Sequence, residues 1–582
     1  MRPSSFSLAG LTSACLSLIF VLCVGEPLVA QKSAGSAPVT VTASVLTRQN
    51  DNQHTGQNLQ ETILTAANVN SGSFGKIFSY PVDGQLYAQP LYVPNVSIPS
   101  KGQHNVVYVA TENDSVYAFD ADNAKTNPQP LWHIDFLNPP NVIGVTCGAG
   151  AGICQLFPIV GITSTPVINL ATNTIYVLVR TQETTNSVVS YVTRLHALNI
   201  ATGAEQAGSP AVVCSGSGSV GCTFPGQTEI FKPQHQEGRP ALVLVSEPGF
   251  SQGVLFMGFS GDSGWVLAYD ASTLQMVGSF MTNPQTDSAK AHGKPPGIAG
   301  AGKAGIWGAG GAITADSSGN VYVDSGDGYF DGVSSWGDSL IKLVLTYNSS
   351  LGTYSLVPAD YFTPSDQACR YAQGLDLGST SPLILPAQGG ATPDLIVVAG
   401  KDLAPTCDAT TSFYVINRDN MGHVGGQVSL SNAPAHGSEN SPAFWASSTA
   451  QYLYNAGIGD NIRAFTVSSA GVSTSSVMNT TSTLYNGSTP AISANGNTNG
   501  ILWALDRTES PDILPGTQPV VLHAYDATKL SSELYNSTQA ASGRDTAGPS
   551  VKFQVPMIAN GKVYVGTQNE LDVYGLCPCP LQ

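Results

Sequence analysis

The sequence predicts an all-β chain folded as a single β-propeller of four-stranded antiparallel blades, and three observations carry that prediction. First, residues 89–136 hold four short β-rich runs, at 90–93, 106–110, 115–120 and 131–136, separated by turn residues in the pattern of an antiparallel meander. A lone meander cannot cover both of its faces, so a chain that repeats it must stack the copies. Second, the module returns in phase along the chain, giving eight copies spaced by roughly 50 to 75 residues, as propeller blades with loop insertions are. Third, the last copy stops after three runs, while an orphan run at 75–82 precedes the first copy. A terminal strand that completes the last blade is what a closed ring needs to leave no open edge.

The opening run of each copy starts with a proline pair: Gln89-Pro90, Thr165-Pro166, Arg239-Pro240, Ser381-Pro382, Ser441-Pro442, Thr489-Pro490 and Val555-Pro556. In the fourth copy Gly310-Gly311-Ala312-Ile313 takes that place without a proline. After the first copy, second runs follow at 174–179, 254–259, 321–324, 395–399, 451–456, 501–504 and 562–566. Third runs follow at 194–200, 265–271, 339–345, 412–418, 461–467, 521–527 and 571–576. Eight blades are the expectation, with seven as the alternative if the weak sixth copy is an insertion.

Residues 1–30 carry one positive charge, Arg2, and an apolar stretch from Leu8 to Val24, and read as a secretory signal peptide. Residues 31–47 read as a flexible leader, 48–576 as the propeller and 577–582 as a short tail. No other apolar run approaches the length of a membrane span, so no transmembrane segment is expected in the mature chain. Charged residues make up only 11% of the chain and glycine is abundant, the profile of an extracellular all-β protein. A net charge of −16 without a basic cluster would repel phosphate backbones, which excludes nucleic acid as the partner.

Cysteine usage agrees with export to a secreted or periplasmic location. Cys15 and Cys23 leave with the signal. Nearest-neighbour disulfide pairing joins Cys147 to Cys154, Cys214 to Cys222 and Cys369 to Cys407. Cys577 and Cys579 stay open between a tight bridge, a longer reach and free thiols. Neither CxxC nor Cys/His metal spacing occurs among them.

The proline-opened first run, the VYVAT-like second run and the VYAFDA-like third run, followed by the aromatic Trp132, resemble the pyrroloquinoline-quinone (PQQ) type of propeller repeat. The segments RQNDNQHTGQNLQETILTAANVNSGSFGKIFSYPVDGQLYAQPLYV (48–93) and SGDGYFDGVSSWGDSLIKL (325–343) resemble a group of secreted bacterial proteins with that propeller. The resemblance covers about residues 45–576. It implies the quinoprotein alcohol dehydrogenase-like fold, in a class that includes PQQ-dependent dehydrogenases, an outer-membrane barrel-assembly lipoprotein and members without an assigned role. The dehydrogenases of the class are similar to one another in a bridged pair of adjacent cysteines, a tryptophan under the quinone and Glu, Asn and Asp ligands to Ca²⁺. This chain has no Cys-Cys dipeptide and no C-x-x-C-H haem site, so no quinone residue carries over and no catalytic residue is assigned.

Acids recur in the loops between second and third runs: Glu112, Asp114, Glu183, Asp262, Asp324, Asp327, Asp402, Asp460, Asp506 and Glu570. In a propeller these loops share a face with the segments leading into the inner strands, so the acids are expected around one mouth. Asp also favours hairpin turns by bonding to its own backbone, the blander account of the same pattern. The fourth copy concentrates Asp324, Asp327, Asp331 and Asp338 among glycines, the place where a Ca²⁺ ion is most reasonably expected, although the spacing departs from an EF-hand. Trp307 and Trp336 lie outside strand positions and could cover apolar sugar faces, with Asp114, Asp262, Asp402 and Asp460 bonding hydroxyls. Trp132 and Trp265 recur in the repeat and are expected to fill space between blades.

Two other patterns carry nothing. Residues 297–304 nearly spell a phosphate loop, but prolines precede it and no helix pattern follows. The nine histidines form no HExxH, and no GxSxG elbow occurs. The expected function is therefore a secreted, non-catalytic propeller that binds a glycan, polymer, or envelope or extracellular protein at one mouth, with no cofactor. The alternatives are a periplasmic PQQ- and Ca²⁺-dependent sugar or alcohol dehydrogenase, and an envelope assembly scaffold.

Overall fold

The computed structural model describes residues 43–577 except 123–128, 148–155, 262, 284–303, 309–310, 312, 402–406, 408–411, 433–438 and 508–515. All of these lie in one compact unit, Thr42–Gln582. Among the described residues the only α-helix is the seven-residue Gln367–Gln373, and none is long and apolar enough to cross a membrane.

Eight sheets follow the predicted four-strand plan among the described residues. The first consists of Leu91–Ile98, Gly102–Ala110, Ser115–Asp120 and Trp132–Asp135, in that order across the sheet and antiparallel throughout. The second consists of Val167–Asn169, Thr174–Thr185, Val188–Asn199 and Ala211–Gly216, and its long central hairpin also pairs with Val142–Thr146. The third consists of Val243–Val245, Val254–Phe259, Trp265–Asp270 and Met276–Met281, and the fourth of Thr314–Ala315, Val321–Asp324, Leu340–Asn348 and Thr353–Thr363. The fifth holds Leu383–Ile384, Leu395–Val398, Ser412–Asn417 and Ser429–Asn432. The weak sixth copy forms Ala443–Ala446, Gln451–Ala456, Asp460–Ser468 and Met478–Leu484, and the seventh Ala491–Asn495, Thr498–Asp506, Val521–Asp526 and Glu533–Asn536. In the eighth, Met557–Ala559, Lys562–Gly566 and Glu570–Leu576 are completed by the N-terminal strand Phe74–Pro81, which pairs Phe74 with Leu576 and Pro81 with Glu570.

The fourth opening strand is displaced from its expected position. Of 310–313, residues 310 and 312 lie outside the described residues, and the strand is Thr314–Ala315. Its register follows from partners outside its own sheet: the Ala315 amide donates to the Asn52 carbonyl, and the Thr314 hydroxyl donates to the Pro382 carbonyl.

Each sheet buries one face against the next. Apolar side chains of the second and third sheets share a cluster around Tyr176 and Trp265, and those of the third and fourth share one around Phe256 and Ile341. The series continues through Phe362 with Tyr414, Phe413 with Phe465, Trp445 with Tyr525, and Trp503 with Tyr574. A last cluster joins Tyr564 and Val573 of the eighth sheet to Tyr108 of the first and Ile175 of the second. Trp132 and Trp265 are buried in these interfaces, as their recurrence implied. The Trp132 indole N–H donates to the Ile200 carbonyl of the second sheet at 2.9 Å.

Hydroxyls before the prolines link neighbouring copies. Thr165 Oγ1 accepts the Gln89 amide, Ser441 Oγ accepts the Ser381 amide, and Thr489 Oγ1 accepts the Ser441 amide, at 2.9–3.2 Å. This gives the Ser/Thr-Pro signature a physical cause: the hydroxyl bonds the preceding copy while the proline opens the strand.

The N-terminal segment, expected to be loose as far as residue 47, is ordered from Val45. The Leu46 carbonyl accepts from Ile168, Asn52 from Ala315, Gln53 from Ile384, Thr55 from Phe444 and Gly56 from Ile492, while Val45 bridges Tyr92. Asn58 Nδ2 donates to Ile558 and Glu61 Oε2 accepts from Gly561. One short polar stretch is thus bonded to the opening strands of seven sheets, and Asn52 Nδ2 reaches Leu244 of the remaining one.

Two disulfides are described, Cys214–Cys222 and Cys369–Cys407, both as expected. Cys147 and Cys577 are also disulfide-bonded, while Cys154 and Cys579 lie outside the described residues.

Candidate functional site

The second-to-third loops meet the segments leading into opening strands, as expected. The Ile162 amide donates to Thr111, Gly326 to Gly305, Gly378 to Ser325, Lys401 to Asp376 and Ser488 to Ala456. Charged side chains from several sheets come together there. Arg239 pairs with Glu237 at 2.9 Å, both nearly buried, and its guanidinium lies 4.8 Å over the ring of Trp307. Lys401 bridges Asp376 at 3.0 Å and Glu439 at 3.5 Å. Burial works against charge on both Lys401 and Asp376, but the pair outweighs it, holding Asp376 below its ordinary range and Lys401 above.

Glu439 and Arg507 then line a shallow open cleft with Asn440, Asn486, Lys552 and Phe553. Both signs of charge, side-chain amides and one aromatic surface therefore converge at one place. Such a lining can hold hydroxyls, carboxylates and backbone amides of an extended polar ligand. Between the first and second copies Glu112 is buried and accepts the Gly161 amide at 2.6 Å. Burial pushes its carboxyl up to about 7. Burial and the Glu112 charge hold the neighbouring Asp114 well above the carboxylate range, and neither of its buried oxygens accepts a well-formed hydrogen bond.

The expected site residues divide. Asp114 is fully buried at φ 52°, and Trp307 is half-buried beneath Arg239. Trp336 packs in the interface of the third and fourth sheets, edge-on to Tyr361 at 5.0 Å. Asp460 pairs with Arg463 at 2.7 Å within its own sheet. Asp262 and Asp402 lie outside the described residues.

The four aspartates of the fourth copy do not share one cage. Asp331 is exposed and accepts the amides of Val333, Ser334 and Ser335, a turn bonded to itself, and these bonds outweigh partial burial to hold it below its ordinary range. Asp324 is fully buried at the end of its strand, where burial keeps it well above the carboxylate range. Asp338 accepts from the Leu377 amide and Gln367 Nε2, and lies within electrostatic reach of Asp327 and Asp376. Among the described residues no group of three or more His, Cys, Asp or Glu is placed to hold a metal ion.

Sequence reasoning passed over Glu237, Arg239, Asp376, Lys401, Glu439 and Arg507. One signal was available for Arg239: it stands where the other proline pairs carry Ser, Thr, Gln or Val. Lys401 and Arg507 each follow a second run in a chain with only 23 basic residues, another irregularity of the repeat.

In structure the chain is similar to the quinohemoprotein alcohol dehydrogenase of Comamonas testosteroni, with a TM-score of 0.55 and 15% identity, over 93% of this chain and 81% of that one. The fold is that of the quinoprotein-type β-propeller. A second quinohemoprotein alcohol dehydrogenase, from Pseudomonas putida HK5, gives a TM-score of 0.54 and 14% identity over the same shares of the two chains. BamB of Moraxella catarrhalis is more distant, with a TM-score of 0.42 and 10% identity over 86% of this chain and 99% of that one. No protein-family model and no curated protein sequence matches the chain.

The described residues are a poor fit to the quinone and Ca²⁺ that the sequence resemblance raises. The Trp307 face, the one half-buried indole at the mouth, is covered by Arg239. The described disulfides join residues 8 and 38 apart, so neither is the adjacent pair that resemblance would require.

Proposed function

We propose that this chain is an exported, non-catalytic β-propeller of eight blades, closed by Phe74–Pro81, that holds a polar polymer in the mouth cleft between Glu439 and Phe553. A glycan chain or an extended segment of an envelope or extracellular protein is the class of ligand. The observation that carries this reading is the cleft's lining, which sets a carboxylate, two cations and two side-chain amides, those of Glu439, Arg507, Lys552, Asn440 and Asn486, beside Phe553. Hydroxyl-rich or amide-rich ligands are recognised by such mixed polar surfaces with an aromatic contact. Export is supported by the apolar N-terminal stretch of the sequence and by the bridged cysteines.

Binding across a glycan array, together with pull-downs from envelope extracts, tests the reading. Asn486→Ala and Lys552→Ala should weaken any ligand found, and binding that both variants leave unchanged would move the site elsewhere. The second reading that the sequence resemblance leaves is quinone-dependent oxidation of a sugar or alcohol. Dye reduction after reconstitution with PQQ and Ca²⁺ would establish it in place of the first.

A further inference from the structure

Arg48 is 1% exposed and has no carboxylate partner among the described residues. Its one hydrogen bond runs from Nη2 to the Phe553 carbonyl at a long 3.4 Å, and its Nε–H is buried without a partner. It belongs to the segment that is bonded to the opening strands, so it is enclosed by them. Other buried polar atoms around it are also unpartnered: Gln49 Oε1 beside it, His54 Nε2 within its electrostatic reach, and Gln554 Oε1 next to Phe553. Phe553 itself sits at φ 62°, a left-handed conformation that a bulky residue seldom adopts. Phe553 therefore touches both sides, with its carbonyl on Arg48 and the residue itself in the lining of the cleft.

A guanidinium kept out of water needs a counter-charge, because burying an uncompensated ion is heavily unfavourable. No group among the described residues supplies one. We propose that Arg48 binds a small hydrated monoanion, of the halide or carboxylate kind, in the space enclosed by the opening strands beneath the Phe553 turn. The anion takes the Nε–H and one Nη–H of the guanidinium in the fork geometry that suits carboxylates and accommodates a halide. Accompanying water donates to Gln49 Oε1 and Gln554 Oε1, which an anion cannot satisfy. Bound there, the anion ties the N-terminal segment to the opening strands whatever the cleft holds.

The test uses the full mature chain and three sodium salts: chloride, bromide and acetate. The unfolding midpoint of the wild type should rise by roughly 2 °C or more over a hundredfold increase in chloride, and the same chain with Arg48→Met should lose that rise beyond the general salt effect. Acetate matching chloride identifies a carboxylate-accepting site, and chloride alone a halide site. Lys552→Ala should keep the chloride response, since Lys552 lines the cleft and not the enclosed space. If Arg48→Met does not fold, crystals of the wild type soaked in bromide decide the matter by anomalous scattering. A bromide peak within contact of the Arg48 guanidinium supports the site. A midpoint that rises with none of the three salts beyond the general salt effect, a response lost in Lys552→Ala, or bromide bound only elsewhere would overturn it, and none of these would touch polymer binding in the cleft.

Discussion

Lys76 Nζ lies 2.5 Å from Asp572 Oδ1, joining the strand near the start of the chain to the one near its end. Asp572 is fully buried and also accepts the Gly548 amide at 2.8 Å. Removing one partner of a buried pair strands the other charge. Lys76→Met is therefore expected to cost about 3–5 kcal/mol in denaturant unfolding, and Lys76→Met with Asp572→Asn to recover much of it. Because the pair holds the N-terminal strand to the eighth sheet, hydrogen exchange in Lys76→Met should accelerate first at residues 74–81. Uniform acceleration across all sheets would show that the junction is not a separate unit.

Glu112 gives the stability a pH dependence of known sign. Burial raises its folded-state pKa from 4.5 to about 7, so the folded protein holds this proton more tightly than the unfolded chain does. The contribution is complete below about pH 4.5 and is lost as pH rises through 7. Between pH 5 and 8 the wild type should lose about 1–3 kcal/mol from this group, and Glu112→Gln, which can still accept the Gly161 amide, should flatten that part of the profile. Thermal unfolding of both proteins across the range checks it, and identical profiles would remove Glu112 from the account.

The two described bridges should differ in worth. Cys369–Cys407 closes 38 residues and Cys214–Cys222 only 8. Loop-closure entropy then assigns about 4 kcal/mol to the first and about 2.5 kcal/mol to the second. The longer bridge also ties the Gln367–Gln373 helix to the loop after Lys401, which positions the Asp376–Lys401 pair at the mouth. Replacing each cysteine pair by serines and comparing denaturation midpoints should give that order.

What the sequence disclosed and what it withheld follow from the physics of the repeat. Strands were legible because each copy carries its own apolar runs and turn residues, so the junction of residues 75–82 with the last copy could be placed from residue order alone. The polar segment 45–61 has neither period, since the backbone of Val45, Leu46, Asn52, Gln53, Thr55 and Gly56 bonds to a different sheet each time and needs no apolar face of its own. Acids in the loops were visible as residue types. Whether Asp331 closes a turn on itself or Asp376 meets Lys401 depends on side-chain direction, which loop composition does not specify. The mouth was readable as a place, and most of its charged residues were not, because Lys401, Glu439 and Arg507 come from three successive copies and only the stacking brings them together.

Gly56 offers the sharpest test of that N-terminal segment. Its φ is 69°, its amide donates to the Gln49 carbonyl at 3.0 Å, and its carbonyl accepts the Ile492 amide at 2.7 Å. A Cβ there would stand 3.1 Å from the Ala443 Cβ and 3.4 Å from the Pro490 carbonyl oxygen. Gly56→Ala thus meets both a left-handed backbone and two fixed neighbours, and should cost about 2–3 kcal/mol. Gly102 has φ 94° and nothing within 4 Å of where a Cβ would stand, so Gly102→Ala isolates the backbone penalty alone, about 1 kcal/mol. The difference between the two, read from chemical denaturation, measures how firmly the segment is clamped between the sixth and seventh sheets; equal losses would mean that it yields there.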